Sequence, residues 1–196
     1  HKDRSASYVD IHNERAAEQV VDHLISLGRT RIGHIAGRPG GTSAEERLTG
    51  YRRAMQRAGL DTDGLVYRGD YLAHSGVEGA AALVEAGVDA IFAASDTMAL
   101  GALHELGRRG IRVPDDIAVA GFDDVVEAAE ADPPLTTMRQ DTALLGREAA
   151  HTLFRLLSDP DALPQRVILP TELLIRQSTV GSMKRSPATT HEQDRT

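Results

Sequence analysis

The sequence contains no cysteine and no long apolar run. Without cysteine, disulfide bonds and thiolate chemistry are excluded, and cysteine usage leaves the cellular compartment open. No apolar stretch approaches the ~20 residues that an α-helix needs to cross a bilayer. The first ten residues, HKDRSASYVD, also lack the apolar segment of a secretory signal peptide. The sequence therefore predicts no contact with a membrane.

Basic charge is also in short supply. The chain has 22 Lys and Arg against 29 Asp and Glu, which gives a formal net charge of -7. Proteins that bind nucleic acid usually present a basic face, because they displace counterions from the phosphates. These residues are therefore not expected to hold DNA themselves. Since the chain begins at His1 and not at a methionine, we expect a fragment or a processed product.

Recognisable catalytic and metal-binding motifs are missing as well. The eight histidines show no HxxxH or HExxH spacing, so the sequence gives little support to a zinc site. There is no GxSxG nucleophile elbow. The glycine-rich GRPGG at residues 37–41 lacks both GxGxxG and a GK[ST] ending, so a nucleotide-phosphate site is not favoured. We expect no metal, no cofactor and no enzymatic activity.

The sequence does contain an alternation of amphipathic helices and short apolar strands. Four apolar runs predict strands at residues 31–37, 65–68, 88–94 and 117–122. The first helix is predicted to end at Gly28. Ser43 and Ser75, each with a Glu three residues on, match the capping-box spacing at two later helices, and Asp96 is predicted to cap another. This alternation predicts an α/β fold with a doubly wound parallel sheet.

The alternation stops after residue 122. Residues 123–134 are predicted to form a loop that ends in two prolines. Beyond the loop we predict a strand at 136–139, a helix from 141 or 142 to 157, and strands at 167–169 and 172–176 separated by Pro170. Residues 181–196 are polar and unpatterned, which predicts a disordered tail.

The carboxyl ends of the predicted parallel strands are the expected ligand site, because open α/β sheets bind their ligands there. The loops at these ends carry the polar and aromatic side chains of Arg47, Tyr71, Ser95 and Asp123, and Gln140 follows the next extended segment. A carboxylate accepts hydrogen bonds from neighbouring hydroxyls, an arginine presents a fork of donors, and a tyrosine ring can lie on a sugar's apolar face. This mixture favours a polyhydroxylated small molecule.

Several of these residues also have a simple structural interpretation. Arg47 falls in the first turn of a predicted helix, where a solvated surface position fits the sequence equally well. Tyr71 is more often a packing residue than a stacking one. Asp96 is favoured as a helix cap over a ligand contact. Asp123 and Asp124 are adjacent, so in extended chain they point to opposite faces, and at most one of them faces the cleft.

Six segments together resemble a known family. In order they are VVDHLISLGRTRIGHIAG, SAEERLTGYRRAM, SDTMALGAL, GIRVPDDIAVAGFDD, PPLTTMRQD and LPTELLIRQST. In order and spacing they resemble the lactose-repressor and purine-repressor (LacI/GalR) family of bacterial transcription regulators, over residues 11–180. This resemblance implies a periplasmic-binding-protein-like type I fold. In that fold two lobes close over an effector, and the chain crosses between the lobes three times.

By this resemblance, the C-terminal lobe is complete and the N-terminal lobe is only partly present. Residues 13–139 would form the C-terminal, effector-binding lobe. Residues 140–170 would be a helix and strand of the N-terminal lobe, and residues 171–180 would return to the C-terminal lobe ahead of the tail. The chain departs from the family at the first crossover, where His12-Asn13 stands in place of the usual Asp-Asn.

The resemblance also implies which residues contact the effector. Arg47 matches the family's effector-binding arginine, and Asp123 matches the first aspartate of its GFDD motif. Ser95 stands where an asparagine or aspartate often precedes the aspartate of the NDxMALGA motif. Gln140 matches the glutamine of the TTxxQ segment, a position that the fold argument alone would not select. The remaining expected contacts are Tyr71, near an aromatic position after Gly-Asp, and Ser43, in the cleft wall.

The function implied by the resemblance is ligand sensing in a DNA-binding regulator. A small effector would bind between the lobes and switch operator affinity. A sugar fits the polar residues best, although a purine or another polar metabolite fits the same fold. The regulator is expected to act as a homodimer in the cytoplasm. It would reach operator DNA through an N-terminal helix-turn-helix outside these 196 residues.

Two alternative functions stay open at this point. A periplasmic sugar-binding protein of an uptake transporter shares the two-lobe architecture. The absence of a signal peptide and the segments PPLTTMRQD and RVPDDIAVAGFDD favour the regulator. A small α/β enzyme would need an acid–base pair or a nucleophile, and the sequence displays neither arrangement.

Overall fold

The computed structural model describes residues 6–159 and 162–180 of the chain. Its strands are β1 Tyr8–Ile11, β2 Ile32–Ala36, β3 Val66–Arg68, β4 Ala90–Ala93, β5 Ala118–Asp123, β6 Thr136–Gln140, β7 Arg166–Leu169 and β8 Thr171–Leu174. Its helices are α1 Asn13–Ser26, α2 Thr42–Arg57, α3 Ala73–Glu85, α4 Asp96–Arg108, α5 Val126–Glu130, α6 Thr142–Ser158 and α7 Gln177–Val180. The predicted tail at 181–196 lies outside the described residues.

Six strands form the main sheet, in the order β3-β2-β4-β5-β6-β8. All neighbouring pairs are parallel except the last, in which β8 runs antiparallel to β6. Within this sheet β2 comes first in the chain, and it has β3 on one side and β4 on the other. The strand order therefore reverses direction at β2. The doubly wound parallel sheet expected from the sequence is confirmed, with one antiparallel edge strand.

Helices cover both faces of the main sheet. α1 and α2 pack together over one face, where Val20, Tyr51 and Phe92 are fully buried. α3 and α4 pack together over the other face, where Ile35 and Leu106 are fully buried. Strands that are buried on both faces have no solvent side. This is why their sequences are continuous apolar runs and not alternating ones.

Both helix pairs depend on glycine at their closest contact. A Cβ at Gly50 of α2 would collide with the backbone carbonyl oxygen of Glu14 in α1. A Cβ at Gly101 of α4 would collide with the carbonyl oxygen of Ala73 in α3. Backbone atoms cannot move aside as a flexible side chain can. Each helix pair therefore approaches this closely only because the contact residue has no side chain.

A second sheet of two strands lies apart from the main one. It consists of β1 and β7, which pair in parallel, and α6 packs against β1. The sequence did not predict β1, because its four residues are too few to establish an alternating pattern. Leu153, Phe154 and Leu157 of α6 are largely exposed, at 56%, 66% and 70%. This unit therefore carries apolar surface that the described residues do not cover.

The predicted capping boxes at the second and third helices are wrong. α2 begins at Thr42 and α3 begins at Ala73, and neither helix has a side-chain cap. Ser43 and Ser75 therefore lie inside the first turn. At that position their hydroxyls are past the point from which a cap accepts a hydrogen bond from the free N–H groups.

The start of α4 also differs from the prediction. Ser95 is the cap, and its Oγ accepts a hydrogen bond from the Met98 backbone N–H at 3.3 Å. Asp96, the predicted cap, is the first residue of the helix and is fully buried. Its carboxylate accepts hydrogen bonds from Thr137 Oγ1 at 2.6 Å and from the Val125 N–H at 3.0 Å. Asp96 thus ties the start of α4 to β6 and to the turn after β5.

The region after β5 is more regular than predicted. The expected loop at 123–134 contains the short helix α5, and the strand expected at 172–176 ends at Leu174 and is followed by α7. In the part of the chain that the structure describes, no helix is both long and apolar enough to cross a membrane.

Candidate ligand-binding site

The carboxyl ends of the parallel strands bring three of the expected residues into one hydrogen-bonded set, called here the Arg47 group. It consists of Arg47 on α2, Asp123 at the end of β5 and Gln140 at the end of β6. Arg47 Nη1 donates to Asp123 Oδ1 at 3.5 Å, and Gln140 Nε2 donates to the same oxygen at 2.6 Å. In open α/β sheets, ligands bind beyond the carboxyl ends of the strands at the point where the strand order reverses.

Arg47 is buried and is not a solvated surface residue, since only 5% of it is exposed. Its Nε donates to Asn13 Oδ1 at 2.9 Å, and its Nη1 donates to the Ala94 carbonyl oxygen at 2.6 Å. Its Cζ lies 3.6 Å from the centroid of the Phe122 ring, which makes a cation–π contact. Burial lowers the pKa of Arg47, and the carboxylate of Asp123 opposes that shift. These contacts hold the guanidinium in one orientation.

Two atoms of the Arg47 group have unused hydrogen-bonding capacity. Within residues 6–159 and 162–180, no hydrogen bond reaches Asp123 Oδ2 or Arg47 Nη2. The first atom is an acceptor and the second is a donor. Neighbouring hydroxyls of one ligand could use both, because one hydroxyl donates to the carboxylate while another accepts from the guanidinium. The carboxylate would repel an anionic ligand, so the pair is better suited to a neutral polyol.

The environment of Asp123 raises the pKa of its carboxyl. Its side chain is 25% exposed. Burial raises the pKa of its carboxyl to about 6, while Arg47 lowers that pKa and the carboxylate of Asp96 raises it further. The backbone φ of Asp123 is 123°, in the region that favours glycine. Residues with side chains stay in such conformations only where their surroundings hold them, which is common at functional sites.

Asp124 contacts a different set of residues from Asp123. Its Oδ1 accepts from Arg176 Nη2 at 2.7 Å, and its Oδ2 accepts from Arg139 Nε at 2.8 Å. Only one of the two adjacent carboxylates therefore belongs to the Arg47 group. This agrees with the expectation that at most one of them faces the cleft.

Tyr71 and Ser43 form a second pair. The hydroxyl of Tyr71 lies 3.5 Å from Ser43 Oγ. The ring of Tyr71 lies against Gly37 so closely that a Cβ at Gly37 would collide with it. The φ of Tyr71 is 74°, and Asp70 supports this turn by accepting a hydrogen bond from the Leu72 N–H at 3.0 Å. Tyr71 thus has the packing role that the sequence favoured. Its contact with an effector, and that of Ser43, stay predictions.

Ser95 is beside the Arg47 group and is not hydrogen-bonded to it. Its side chain caps α4, and the residue is only 4% exposed. The preceding residue, Ala94, supplies the carbonyl oxygen to which Arg47 donates. The structure thus gives Ser95 a capping role, and its contact with an effector stays a prediction.

Asn13, Ala94 and Phe122 complete the surroundings of Arg47, and sequence reasoning did not select them as site residues. Asn13 is 2% exposed, and its Nδ2 donates to Asp10 Oδ1 at 3.2 Å as well as to Glu46 Oε2 at 3.2 Å. The one sequence feature that could have indicated Asn13 is its position at the first crossover implied by the family resemblance. Its bond to Arg47 spans 34 positions of sequence and depends on the packing of α1 against α2.

Among the residues that the structure describes, no three His, Asp or Glu side chains are arranged to hold a metal ion. Asp123 has a guanidinium and an amide as hydrogen-bonding partners. Both partners donate to the same carboxylate oxygen, Oδ1.

Known proteins with similar sequences are regulators of transcription. The family described as periplasmic binding protein-like domain matches residues 21–179. The HTH-type transcriptional regulator CelR of Thermobifida fusca is 42% identical over 179 residues, which is 90% of this chain and 53% of that protein. The HTH-type transcriptional repressor CytR of Escherichia coli (strain K12) is 36% identical over 174 residues, which is 87% of this chain and 51% of that protein.

The fold is also found in solved structures of such regulators. A complex of the transcriptional regulator CelR with cellobiose matches with a TM-score of 0.86 at 42% identity, over 89% of this chain and 54% of that one. This chain spans about half the length of the curated relatives that it matches. The relatives are named as transcriptional regulators and not as enzymes. The chain therefore belongs to the periplasmic binding protein-like domain family, in the branch found in LacI-type transcriptional regulators.

Proposed function

We propose that this chain is the sugar-sensing part of a LacI-type transcriptional regulator. The complete protein would bind a small effector at the carboxyl edge of the main sheet and would change its affinity for operator DNA. The observation that carries this proposal is the buried Arg47 group, in which one donor atom of the guanidinium and one acceptor atom of the carboxylate have no hydrogen bond to any residue that the structure describes. Tyr71 and Ser43 would form the adjoining wall of the site.

A neutral sugar is the effector class that these residues support best. Each hydroxyl contact contributes only about 1 kcal/mol, so recognition has to be shared among Arg47, Asp123, Gln140 and the flanking hydroxyl groups. The relative CelR, at 42% identity, forms a complex with cellobiose. Cellobiose and related oligosaccharides are therefore the first candidates. A purine or another polar metabolite would be the outcome to consider if no sugar binds.

We further propose that α6, β1 and β7 are part of a second lobe, completed by polypeptide outside this chain. Residues 13–139 and 171–180 would form the C-terminal lobe, and residues 140–170 would contribute to the N-terminal one. The exposed apolar side chains of α6 support this division, as does the fact that the chain spans only about half of its relatives. Closure of the two lobes over the sugar would shift an open–closed equilibrium.

The complete regulator would act as a homodimer on two operator half-sites in the cytoplasm. A surface groove beside α4, lined by Leu100, Leu103, Gly107 and Ala131, is the candidate surface for the second copy. With a net charge of -7, this chain would leave DNA contact to a helix-turn-helix elsewhere in the protein.

Similarity to regulators favours this function over the two alternatives. A sugar-binding component of an uptake transporter would have the same lobe architecture, but the relatives reported above are HTH-type regulators. An α/β enzyme would need a nucleophile or an acid–base pair. Turnover of a sugar by the wild type that is lost in an Asp123→Asn variant would support the enzyme instead.

The test is a thermal-shift screen of the complete protein against cellobiose, other sugars, sugar phosphates and nucleobases. A ligand at 100 times its Kd stabilises the folded state by ~2.7 kcal/mol. Arg47→Ala removes the central donor. Arg52→Ala is the matched control, because Arg52 lies on the same helix and is exposed.

We expect cellobiose or a related sugar to raise the Tm of the wild type and of Arg52→Ala, each against its own baseline. Arg47→Ala should show no such rise. A Tm that no compound raises, or an equal response in Arg47→Ala, would refute the proposed site.

A further inference from the structure

We propose that Asp124 is a positioning residue that couples the effector site to the strands connecting the two lobes. This inference rests on the proposed function, since it concerns how occupancy of that same site is transmitted. The two adjacent carboxylates have different hydrogen-bonding partners. Asp123 belongs to the Arg47 group, whereas Asp124 binds two arginines associated with β6 and β8.

The turn that carries both carboxylates is conformationally unusual. Asp123 has a φ of 123° and Asp124 has a φ of 63°, so two consecutive residues with side chains occupy the region that favours glycine. Asp96 anchors the turn from α4, because its carboxylate accepts hydrogen bonds from the Val125 N–H at 3.0 Å and from Thr137 Oγ1 at 2.6 Å. Residues with side chains keep such conformations only where their surroundings hold them, and here Asp96 provides part of that support.

Asp124 joins the turn to both neighbouring strands. Arg139 lies on β6 and donates to Asp124 Oδ2 at 2.8 Å, and Arg176 follows β8 and donates to Oδ1 at 2.7 Å. Arg176 is fixed in turn by the Leu135 carbonyl oxygen at 2.9 Å and by its own N–H, which donates to Thr136 Oγ1 at 2.8 Å. Only 13% of the Asp124 side chain is exposed. Burial alone would raise the pKa of Asp124, but Arg139 and Arg176 together hold it below its ordinary value.

The two strands reached in this way are those that lead to the second sheet. β6 continues into α6, and β8 follows directly after β7. A sugar that binds the carboxylate of Asp123 would bias the backbone of the turn. Through Asp124 that bias would reach Arg139 and Arg176, and so the two chain segments on which movement between the lobes depends. Gln140 gives Asp123 a direct contact to β6, which pairs with β8, and Asp124 adds a side-chain contact to Arg176, which follows β8.

The test combines binding with amide hydrogen exchange in the complete protein, with cellobiose as the probe. Calorimetry gives the Kd, and exchange is followed in peptides that cover β6 and β8, with and without cellobiose. Asp124→Asn weakens the contact to the two arginines. Asp116→Asn is the matched control, because Asp116 makes a similar two-oxygen contact, with Arg112 Nε at 3.0 Å and Nη2 at 2.6 Å.

In the wild type and in Asp116→Asn, cellobiose should slow exchange in both strands by about fivefold or more, the low end of ordinary coupling between sites. In Asp124→Asn the Kd for cellobiose should stay within about tenfold of the wild-type value. Loss of coupling between two sites changes the affinity at one of them only by the coupling factor, because the contacts with the sugar itself are retained. The slowing in β8 should be clearly smaller in this variant, and the part that remains should be the part transmitted through the pairing of β6 with β8.

Three results would overturn the inference, and they are distinguishable. Undiminished slowing in β8 of Asp124→Asn would show that the carboxylate does not transmit the signal. Loss of cellobiose binding in a folded Asp124→Asn protein would make Asp124 part of the binding site itself. A wild type that binds neither cellobiose nor any other compound of the thermal-shift screen would remove the proposed site, and this inference with it.

A second pair of variants covers the case in which Asp124→Asn fails to fold. Arg176→Gln removes the charge that reaches β8, and Arg176→Lys retains it. We expect the cellobiose-dependent slowing in β8 to be clearly smaller in Arg176→Gln than in Arg176→Lys. Equal slowing of exchange in β8 of the two variants would contradict the coupling. Such a result would mean that the positive charge at residue 176 makes no difference, as expected if the guanidinium has only a structural role.

Discussion

Affinity for the effector should fall as the pH is lowered through 6. Burial raises the pKa of the Asp123 carboxyl to about 6. A hydroxyl that donates to the carboxylate binds its ionised form, so protonation competes with binding, and affinity rises with pH until the carboxyl is fully ionised. With a pKa of about 6, the ionised fraction is about 0.9 at pH 7 and about 0.1 at pH 5. The affinity should therefore differ by about tenfold between these two values, or ~1.4 kcal/mol.

The assay is calorimetric titration of the complete protein with cellobiose between pH 5 and pH 8. Asp123→Asn is the matched control, because the amide keeps the shape of the side chain and does not titrate. It should bind more weakly than the wild type, with an affinity that does not change over this range. A flat profile in the wild type, or the same slope in Asp123→Asn, would refute the role given to this carboxylate.

Three further predictions concern stability and assembly. Burial lowers the pKa of His34 to about 3, so between about pH 3 and pH 6.5 the unfolded state binds up to one more proton than the folded state. Within this window the proton on His34 should lower the free energy of unfolding by up to ~1.4 kcal/mol for each pH unit by which the pH falls. Urea denaturation at several pH values should therefore show a shallower dependence of the free energy of unfolding on pH in His34→Gln than in the wild type, by that amount. On α4, Gly101→Ala should lower stability by more than about 1 kcal/mol, because its Cβ meets backbone. Gly107→Ala should raise it by about 0.5 kcal/mol, because no atom of the described residues lies within 4 Å of a Cβ placed there. The opposite order of the two Tm values would contradict the helix packing. Leu100→Glu should convert the dimer of the complete protein to a monomer in analytical ultracentrifugation, and an unchanged mass would rule out this groove as the interface.

The main sheet could be predicted because its signals are local. β2, β4 and β5 are short, mainly apolar runs between turn residues, and the long helices between the strands repeat apolar residues at helical spacing. Helix starts were less predictable, because a Ser–Glu spacing is compatible with more than one register. Ser43 and Ser75 lie inside their helices, and Ser95 takes the cap that Asp96 was expected to provide.

The candidate site could be located from the sequence but not fully assembled. Arg47 and Asp123 follow parallel strands, whose carboxyl ends converge whatever the details of packing. The contact of Asn13 with Arg47 depends on how α1 meets α2, and no local pattern encodes that distance. The same is true of Asp124. Its sequence position places it opposite Asp123, but its pairing with Arg139 and Arg176 requires the register of β6 and β8.

Sugar-dependent DNA binding by the complete protein tests the central claim most directly. Fluorescence anisotropy would follow a duplex that the protein itself selects from a random pool, with and without a saturating concentration of the sugar that raises its Tm. We expect operator affinity to change by about fivefold or more in the wild type and in Arg52→Ala, and to stay constant in Arg47→Ala. An operator affinity that no stabilising sugar changes would contradict the assignment of this chain as the sensor of a regulator.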